Sequence, residues 1–404
     1  MPYKGGFLPG IYSVKYLRRT RVMEIAPDIW EIEGYFSTSF FLRPPSCNIF
    51  VLRDKDLVLL VDTGTYPYYR RRIVELLRKF KREGARRLIL MVTQGHFDHV
   101  ANNDVIAEAG YDDVRFLLPE AEMGTINMWD HWYGEFLELE KYYDPYSMLP
   151  FAYTGIVNIA SRISKKLARF LLKNSIKILF RGINTMADRA EILPMKSRAY
   201  RKYGDVEFYG WDVGRFFAIH DGSHSPGHLS FYDPKYKLLL TGDATVEINP
   251  PFFNSSLDKC IEAAGKFRRF AEQGYVQLAT DSHRSSLWVK KLVEYSHREP
   301  LHPLQMVDVA RGKEECIAFY RMFENYYITL KEEVLHALSE LGEATVPELV
   351  EAFKKSKKPE AQLKTALVFP KVPSRLDVLV AVVLKESHAP RRLKGNDIVF
   401  SPPL

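Results

Sequence analysis

Cysteine is scarce in this chain: Cys47, Cys260 and Cys316 are the only three among 404 residues, far apart and in no C-x-x-C pair. An odd, scattered set argues against a disulfide framework and against zinc held by thiolates, and it points to a reducing compartment. Long apolar runs are missing too. No uninterrupted stretch is long enough to span a bilayer, and Met1 to Gly6 lack the apolar core of a signal peptide, so the expected location is cytoplasmic. Charge of one sign is only mildly in excess, at +7, which reads first as an ordinary basic protein and second as a hint of anionic partners. No internal repeat stands out. What is present is apolar bulk: 46% hydrophobic residues over this length suffice for a large core and two domains.

The densest chemistry lies in Thr93-Gln94-Gly95-His96-Phe97-Asp98-His99, directly after the strand-like run Leu88-Ile89-Leu90-Met91-Val92. Ligands collect at the C-terminal edge of strands in open α/β sheets. Imidazoles and a carboxylate on one short turn can converge on a divalent cation such as zinc. The competing reading is a polar helix start with Asp98 near a cap and the histidines solvated. Three more polar points follow: His228 in Ser-Pro-Gly-His, Asp243 in Leu-Leu-Thr-Gly-Asp, and His283 in Thr-Asp-Ser-His.

With these residues and Val61-Asp62-Thr63-Gly64, the chain resembles the metallo-β-lactamase-fold hydrolases over roughly residues 22 to 295. The resemblance implies an α/β fold, a four-layered αββα sandwich with metals at one edge. It implies two divalent metal ions, zinc first, with iron or manganese as alternatives. His96, His228 and Gln94 would hold one ion and Asp98, His99 and His283 the other, with Asp243 between them and Asp62 orienting a histidine from behind. Gln94 is a departure, because the family usually has its first histidine there. A Gln carbonyl oxygen still binds metals, and a minority of the family's lactamases use one, but it is a weaker zinc donor than imidazole. His224, four residues before His228, is the competing ligand.

By that resemblance, a water between cations about 4 Å apart ionises near neutral pH and attacks the substrate, with Asp98 as the catalytic carboxylate. The expected function is a metal-dependent hydrolase of an ester, lactone or phosphoester, phosphotriesters included. Two alternatives stand beside it: a nuclease or phosphodiesterase acting on nucleic acid, and a binding protein with a decayed metal site. The expected partner is a small-molecule substrate whose binding residues the sequence does not identify, and homo-oligomerisation is left open.

Residues 1–300 are expected to form the hydrolase domain and 301–404 a helical, winged-helix-like domain. Between Pro119 and about Gly204 lies a helical insertion, aromatic at Trp129, Trp132, Tyr133, Phe136, Tyr142 and Tyr143. Farther on, apolar residues from Ile156 to Leu171 alternate with lysines at helical spacing. Packing on the protein's own core or roofing the site is preferred over lying on a membrane. Near the end, helices are expected at 313–327, 331–341, 346–353 and 375–386, then a strand at 397–400. Arg391, Arg392 and Lys394 in the wing are placed to touch phosphates, but Lys371, Arg375 and Lys385 are sparse for a recognition helix.

Overall fold

The computed structural model describes residues 21–34, 46–65, 67–146, 151–179, 182–245, 253–283, 309–357 and 376–403. Two seven-stranded sheets face each other. The first runs β1 (Val22–Ala26), β2 (Ile29–Ile32), β3 (Ile49–Asp54), β4 (Leu57–Val61), β5 (Arg87–Met91), β6 (Asp113–Pro119) and β7 (Glu191–Leu193) in sequence order. The second holds β8 (Ala199–Tyr203), β9 (Val206–Val213), β10 (Phe216–His220), β11 (Leu229–Asp233), β12 (Leu238–Leu240), β13 (Leu278–Thr280) and β14 (Ala310–Arg311). The insertion therefore ends in strands that edge both sheets.

Strand β4 is buried at all five positions, as expected of a strand covered on both faces. Its inner side chains, Leu57, Leu59 and Val61, meet Phe216, Phe231 and Leu240 of the second sheet. Outside it lies α1 (Pro67–Arg82), burying Ile73, Leu76, Leu77 and Phe80. Each such side chain contributes about 1.5–3 kcal/mol when fully withdrawn from water.

Two parallel pairings aim the chain ends. The β4–α1–β5 crossover pairs Val61 with Met91, and β12 pairs in parallel with β13, Leu240 opposite Thr280. The residues after all four strands thus emerge along one edge.

Past β5, α2 (Phe97–Val100) is a single turn; the sequence from Asn102 to Ala109 reads as a continuing helix, but the chain forms a 3₁₀ turn over Asn103–Ala107 instead. Asparagines drive the difference. Asn102 Nδ2 donates to the Thr63 and Gly64 carbonyls and Asn103 Nδ2 to the Thr185 carbonyl, long-range bonds that tie this stretch to the loop after β4 and to the end of the insertion. The insertion supplies α3 (Met123–Ile126), α4 (Met128–Leu139), α5 (Phe151–Ile163) and α6 (Lys165–Leu179).

Helices α7 (Leu257–Glu272) and α8 (Lys313–Leu341) cover the second sheet. Where two helices are expected between 313 and 341 there is one, since Ile328-Thr329-Leu330 holds no glycine or proline, and Thr329 and Leu330 are buried. Helix α9 (Val346–Lys354) begins with a reciprocal Thr345–Glu348 capping box and Pro347 in its first turn. Helix α10 (Leu376–Glu386) and the hairpin β15 (Arg391–Lys394)–β16 (Asp397–Phe400) complete the helical, winged C-terminal region. Val380, Val383 and Phe400 share one core with Phe267 and Phe270 of α7. Lys371 and Arg375 lie outside the described residues. Among the described residues no helix is long and apolar enough to cross a membrane.

Candidate metal centre

Asp62 and Thr93 follow the paired ends of β4 and β5, and they build the first handle. Asp62 sits at φ 62°, a left-handed conformation costly for a non-glycine residue and met mostly at functional sites. Three bonds hold it there. Thr93 donates from N–H to Oδ1 at 2.7 Å and from Oγ1 to Oδ2 at 2.8 Å, and His99 Nδ1 lies 3.0 Å from Oδ2. With Nδ1–H donated to a carboxylate, His99 presents Nε2 forward, as metal-binding histidines do.

Two donor groups face that nitrogen. One is Asp98, His99 and His283, and the other is His96, His224 and Asp243. Within each group the ligand atoms lie no more than 4.8 Å apart, and all six residues are buried. Asp243 Oδ2 stands 3.4 Å from His99 Nε2 and 3.4 Å from His224 Nε2, so one carboxylate joins the groups. His283 Nε2 is 3.2 Å from Asp98 Oδ2 and 3.5 Å from Asp243 Oδ1. Its loop is pinned from the first sheet: Asn48 donates N–H to the Ser282 carbonyl at 2.6 Å and Nδ2 to the Asp281 carbonyl at 2.9 Å.

His228 stands apart from both groups. Its Nδ1 bonds Asp221 at 2.9 Å, and its Nε2 accepts the Asp243 N–H at 3.1 Å, so the ring fixes the Asp243 backbone. Gln94 is central: its Nε2 donates to Asp243 Oδ2 at 2.5 Å and lies 2.8 Å from His99 Nε2. Its Oε1 is buried with no hydrogen-bond partner among the described residues. An oxygen donor left over beside imidazoles and carboxylates fits a divalent cation of the zinc class.

Charge divides the groups. Burial works against protonating His283, but Asp243 and Asp98 outweigh it and raise its pKa to about 9. The same contest holds His99 well above the usual imidazole value, with Cys47, Asp243, Asp62 and Asp98 opposing burial. In the other group burial wins. It drives His224 down to about 4 against the pull of Asp243, and His96 well below its usual value with help from His224 and His131. Asp243, despite burial, is held well below the carboxylate range by His283, His99 and His224.

Several supporting residues were not foreseen from sequence. Buried Glu122 accepts the Gly95 N–H at 2.6 Å, the Ser225 hydroxyl at 2.7 Å and the Gly227 N–H at 2.9 Å, tying the two histidine loops together. Both glycines are needed for that approach, since a Cβ would stand 2.4 Å from Ile126 N at Gly95 and 2.6 Å from Glu122 Cβ at Gly227. Tyr327 of α8 donates to the Ala244 carbonyl at 3.0 Å, and Ser255 donates to the His224 carbonyl. Lys385 of α10 secures that segment through the Phe253 carbonyl at 2.6 Å. No local sequence signal marks Glu122, which lies in Pro119-Glu120-Ala121-Glu122, as part of the site. Above the site, His131 of α4 stacks on His96 with ring centroids 5.6 Å apart, while Phe136 and Tyr143 are buried in the protein's own core.

The family model described as the metallo-β-lactamase superfamily matches residues 42–292. Among solved structures, the chain is similar to a metallo-β-lactamase family protein from Thermus thermophilus, with a TM-score of 0.51 and 14% identity over 94% of this chain and 100% of that one. A β-lactamase domain protein from Burkholderia ambifaria gives 0.51 and 16% over 95% and 93%. The stereoselective inverting sec-alkylsulfatase Pisa1 from Pseudomonas sp. gives 0.51 and 14% over 91% of this chain and 50% of that one, so the chain spans half its length. At such identities the likeness is one of fold. No curated protein matches in sequence.

Proposed function

The chain belongs to the metallo-β-lactamase superfamily, and from that premise we propose that it is a dinuclear metal-dependent hydrolase of an ester, lactone or phosphoester, phosphotriesters included. The observation that carries the reading is Asp243 Oδ2, equidistant at 3.4 Å from a histidine Nε2 of each donor group. Divalent cations, when bound there, supply Lewis acidity and water activation. Everything else is the chain's own work. Asp98, His99 and His283 would hold one ion, and His96, His224 and Asp243 the other, with Gln94 Oε1 at hand as a further donor. Asp62 fixes the tautomer of His99, and Asp221 that of His228. Asp98, whose Oδ2 already lies at a histidine nitrogen, is the proton carrier for the leaving group. His131 of α4 stacks on His96 and covers that side of the site.

The nuclease alternative leaned on the cations of the wing. These have other engagements: Arg392 chelates Glu343 at 2.7 and 2.8 Å, Lys394 lies 3.6 Å from the same carboxylate, and Arg391 bonds the Lys141 carbonyl at 3.0 Å. Small substrates remain the better fit. The test is a panel of chromogenic esters, lactones, phosphoesters and a secondary alkyl sulfate, run on metal-stripped and zinc-reloaded protein. Hydrolysis of at least one ester, lactone or phosphoester should vanish on stripping and return on reloading. Inertness of the loaded protein towards all of them would favour a binding protein over a hydrolase.

A further inference from the structure

The α5–α6 hairpin has two apolar faces. Val157, Ala160, Ala168, Leu172 and Ile176 are buried in the core that also holds α1. Ile156, Ile159, Ile163, Leu167 and Phe170 are left in water at 66%, 51%, 75%, 41% and 65% exposure. A solvent-facing patch of five large aliphatic and aromatic side chains is uncommon on a soluble monomer and marks an interaction surface.

Its charge is equally one-sided. Between Asp144 and Asp188 the sequence has no acidic residue and seven lysines or arginines. Arg162, Lys165, Lys166, Lys173 and Lys177 are exposed among the apolar side chains.

From this juxtaposition we infer that the α5–α6 hairpin docks on an anionic lipid surface. Ile156, Ile159, Ile163, Leu167 and Phe170 enter the boundary between headgroups and acyl chains, while the cations meet the headgroup phosphates, the arrangement of an interfacial amphipathic helix. A second copy of the chain is a poor occupant, because it would set two clusters of unbalanced positive charge against each other. A protein partner is also a poorer fit, since among the described residues the exposed patch holds isoleucine, leucine and one phenylalanine, not the tryptophan or tyrosine that dominates protein hot spots. The hairpin packs against α4, whose His131 stacks on His96, so docking places the roof of the metal centre beside the lipid. The inference stands on the hairpin alone and does not require the proposed hydrolase activity.

Co-sedimentation of the full chain with phosphatidylcholine vesicles, and with vesicles of phosphatidylcholine mixed with phosphatidylglycerol, tests it. The protein should pellet with the mixed vesicles, much less with the neutral ones, and progressively less as salt rises. Two variants separate the components: Ile159→Ser/Ile163→Ser/Phe170→Ser for the apolar face and Lys165→Glu/Lys166→Glu for the charge. Since one lipid-facing cation is worth about fivefold in partition, the charge variant should bind about twentyfold more weakly or worse, and the apolar variant at least about tenfold more weakly. All substituted side chains are exposed, so melting temperature and metal content should stay at wild-type values. No vesicle binding by the wild type, or variants that bind as it does, overturns the inference. So does a dimer that the apolar variant dissolves in the absence of vesicle binding, which would put a second copy on this face.

Discussion

Asp98, His99 and His283 collect negative charge around two imidazoles that favour a proton, whereas His96 and His224 are dry, mutually repelling imidazoles that reject one. Both groups share Asp243, yet they offer a cation different things. The first presents a carboxylate-rich hollow already suited to positive charge. The second presents neutral nitrogen lone pairs with nothing to displace. Two sites of one cleft can therefore differ in pH dependence although their donor types are nearly the same.

The severest way to break this comparison is to remove what the groups share. Asp243→Ala takes a carboxylate oxygen from 3.4 Å of both His99 and His224. Hydrolysis measured as kcat/KM should fall by about a thousandfold or more, with metal content reduced at both positions. Wild-type activity in that variant would dissolve the dinuclear reading.

Next in size is the contest between two histidines. His224→Ala should bring metal content down towards one ion per chain, while His228→Ala should keep both ions and weaken binding by about 10–100-fold, the usual cost of losing a group that orients a ligand. The reverse outcome, read by mass-spectrometric metal analysis, would return His228 to the coordination shell. Gln94→His sharpens the contrast from the other side. A stronger donor placed beside His99 and Asp243 should tighten the weaker zinc step by about tenfold. Unchanged affinity in both Gln94→His and Gln94→Ala would remove this residue from the shell.

The smallest effect probes the reach of the C-terminal region into the site. Tyr327→Phe deletes the hydrogen bond to the Ala244 carbonyl next to Asp243. It should lower stability by about 1 kcal/mol in denaturant titration. A fully neutral result would mean that α8 covers the sheet without bracing the metal loop.

The same contrast shows which parts of the site could be read from sequence. The 93–99 turn was legible because its donors are neighbours in the chain and follow a run whose apolar pattern leaves little choice but a strand. The sandwich needed the family resemblance, since no repeat relates its sheets. His224 was harder to rank: both it and His228 flank Ser-Pro-Gly, and only the folded loop shows Asp221 and the Asp243 N–H occupying the two nitrogens of His228. Glu122 was invisible, as nothing local distinguishes a glutamate that will be buried between two glycine turns from one in water. The split expected between 327 and 331 failed because periodicity faded there while no residue interrupted the helix. The hairpin of α5 and α6 is the plainest lesson. Its apolar spacing suggested burial, but the stripe is wide enough to supply an inner face and an outer one.

The most direct test of the account is calorimetric titration of the metal-free protein with zinc at pH 7, repeated in buffers of different protonation enthalpy. Two ions should bind. The step at Asp98, His99 and His283 should release about two protons, one from His283 with its pKa near 9 and one from His99, whose pKa also lies well above the usual imidazole value, and should tighten as pH rises. The step at His96, His224 and Asp243 should release none, because His224 is neutral above about 4 and His96 has likewise lost its proton. A single binding step, or equal proton release in both, would contradict the claim that Asp243 joins two distinct metal sites.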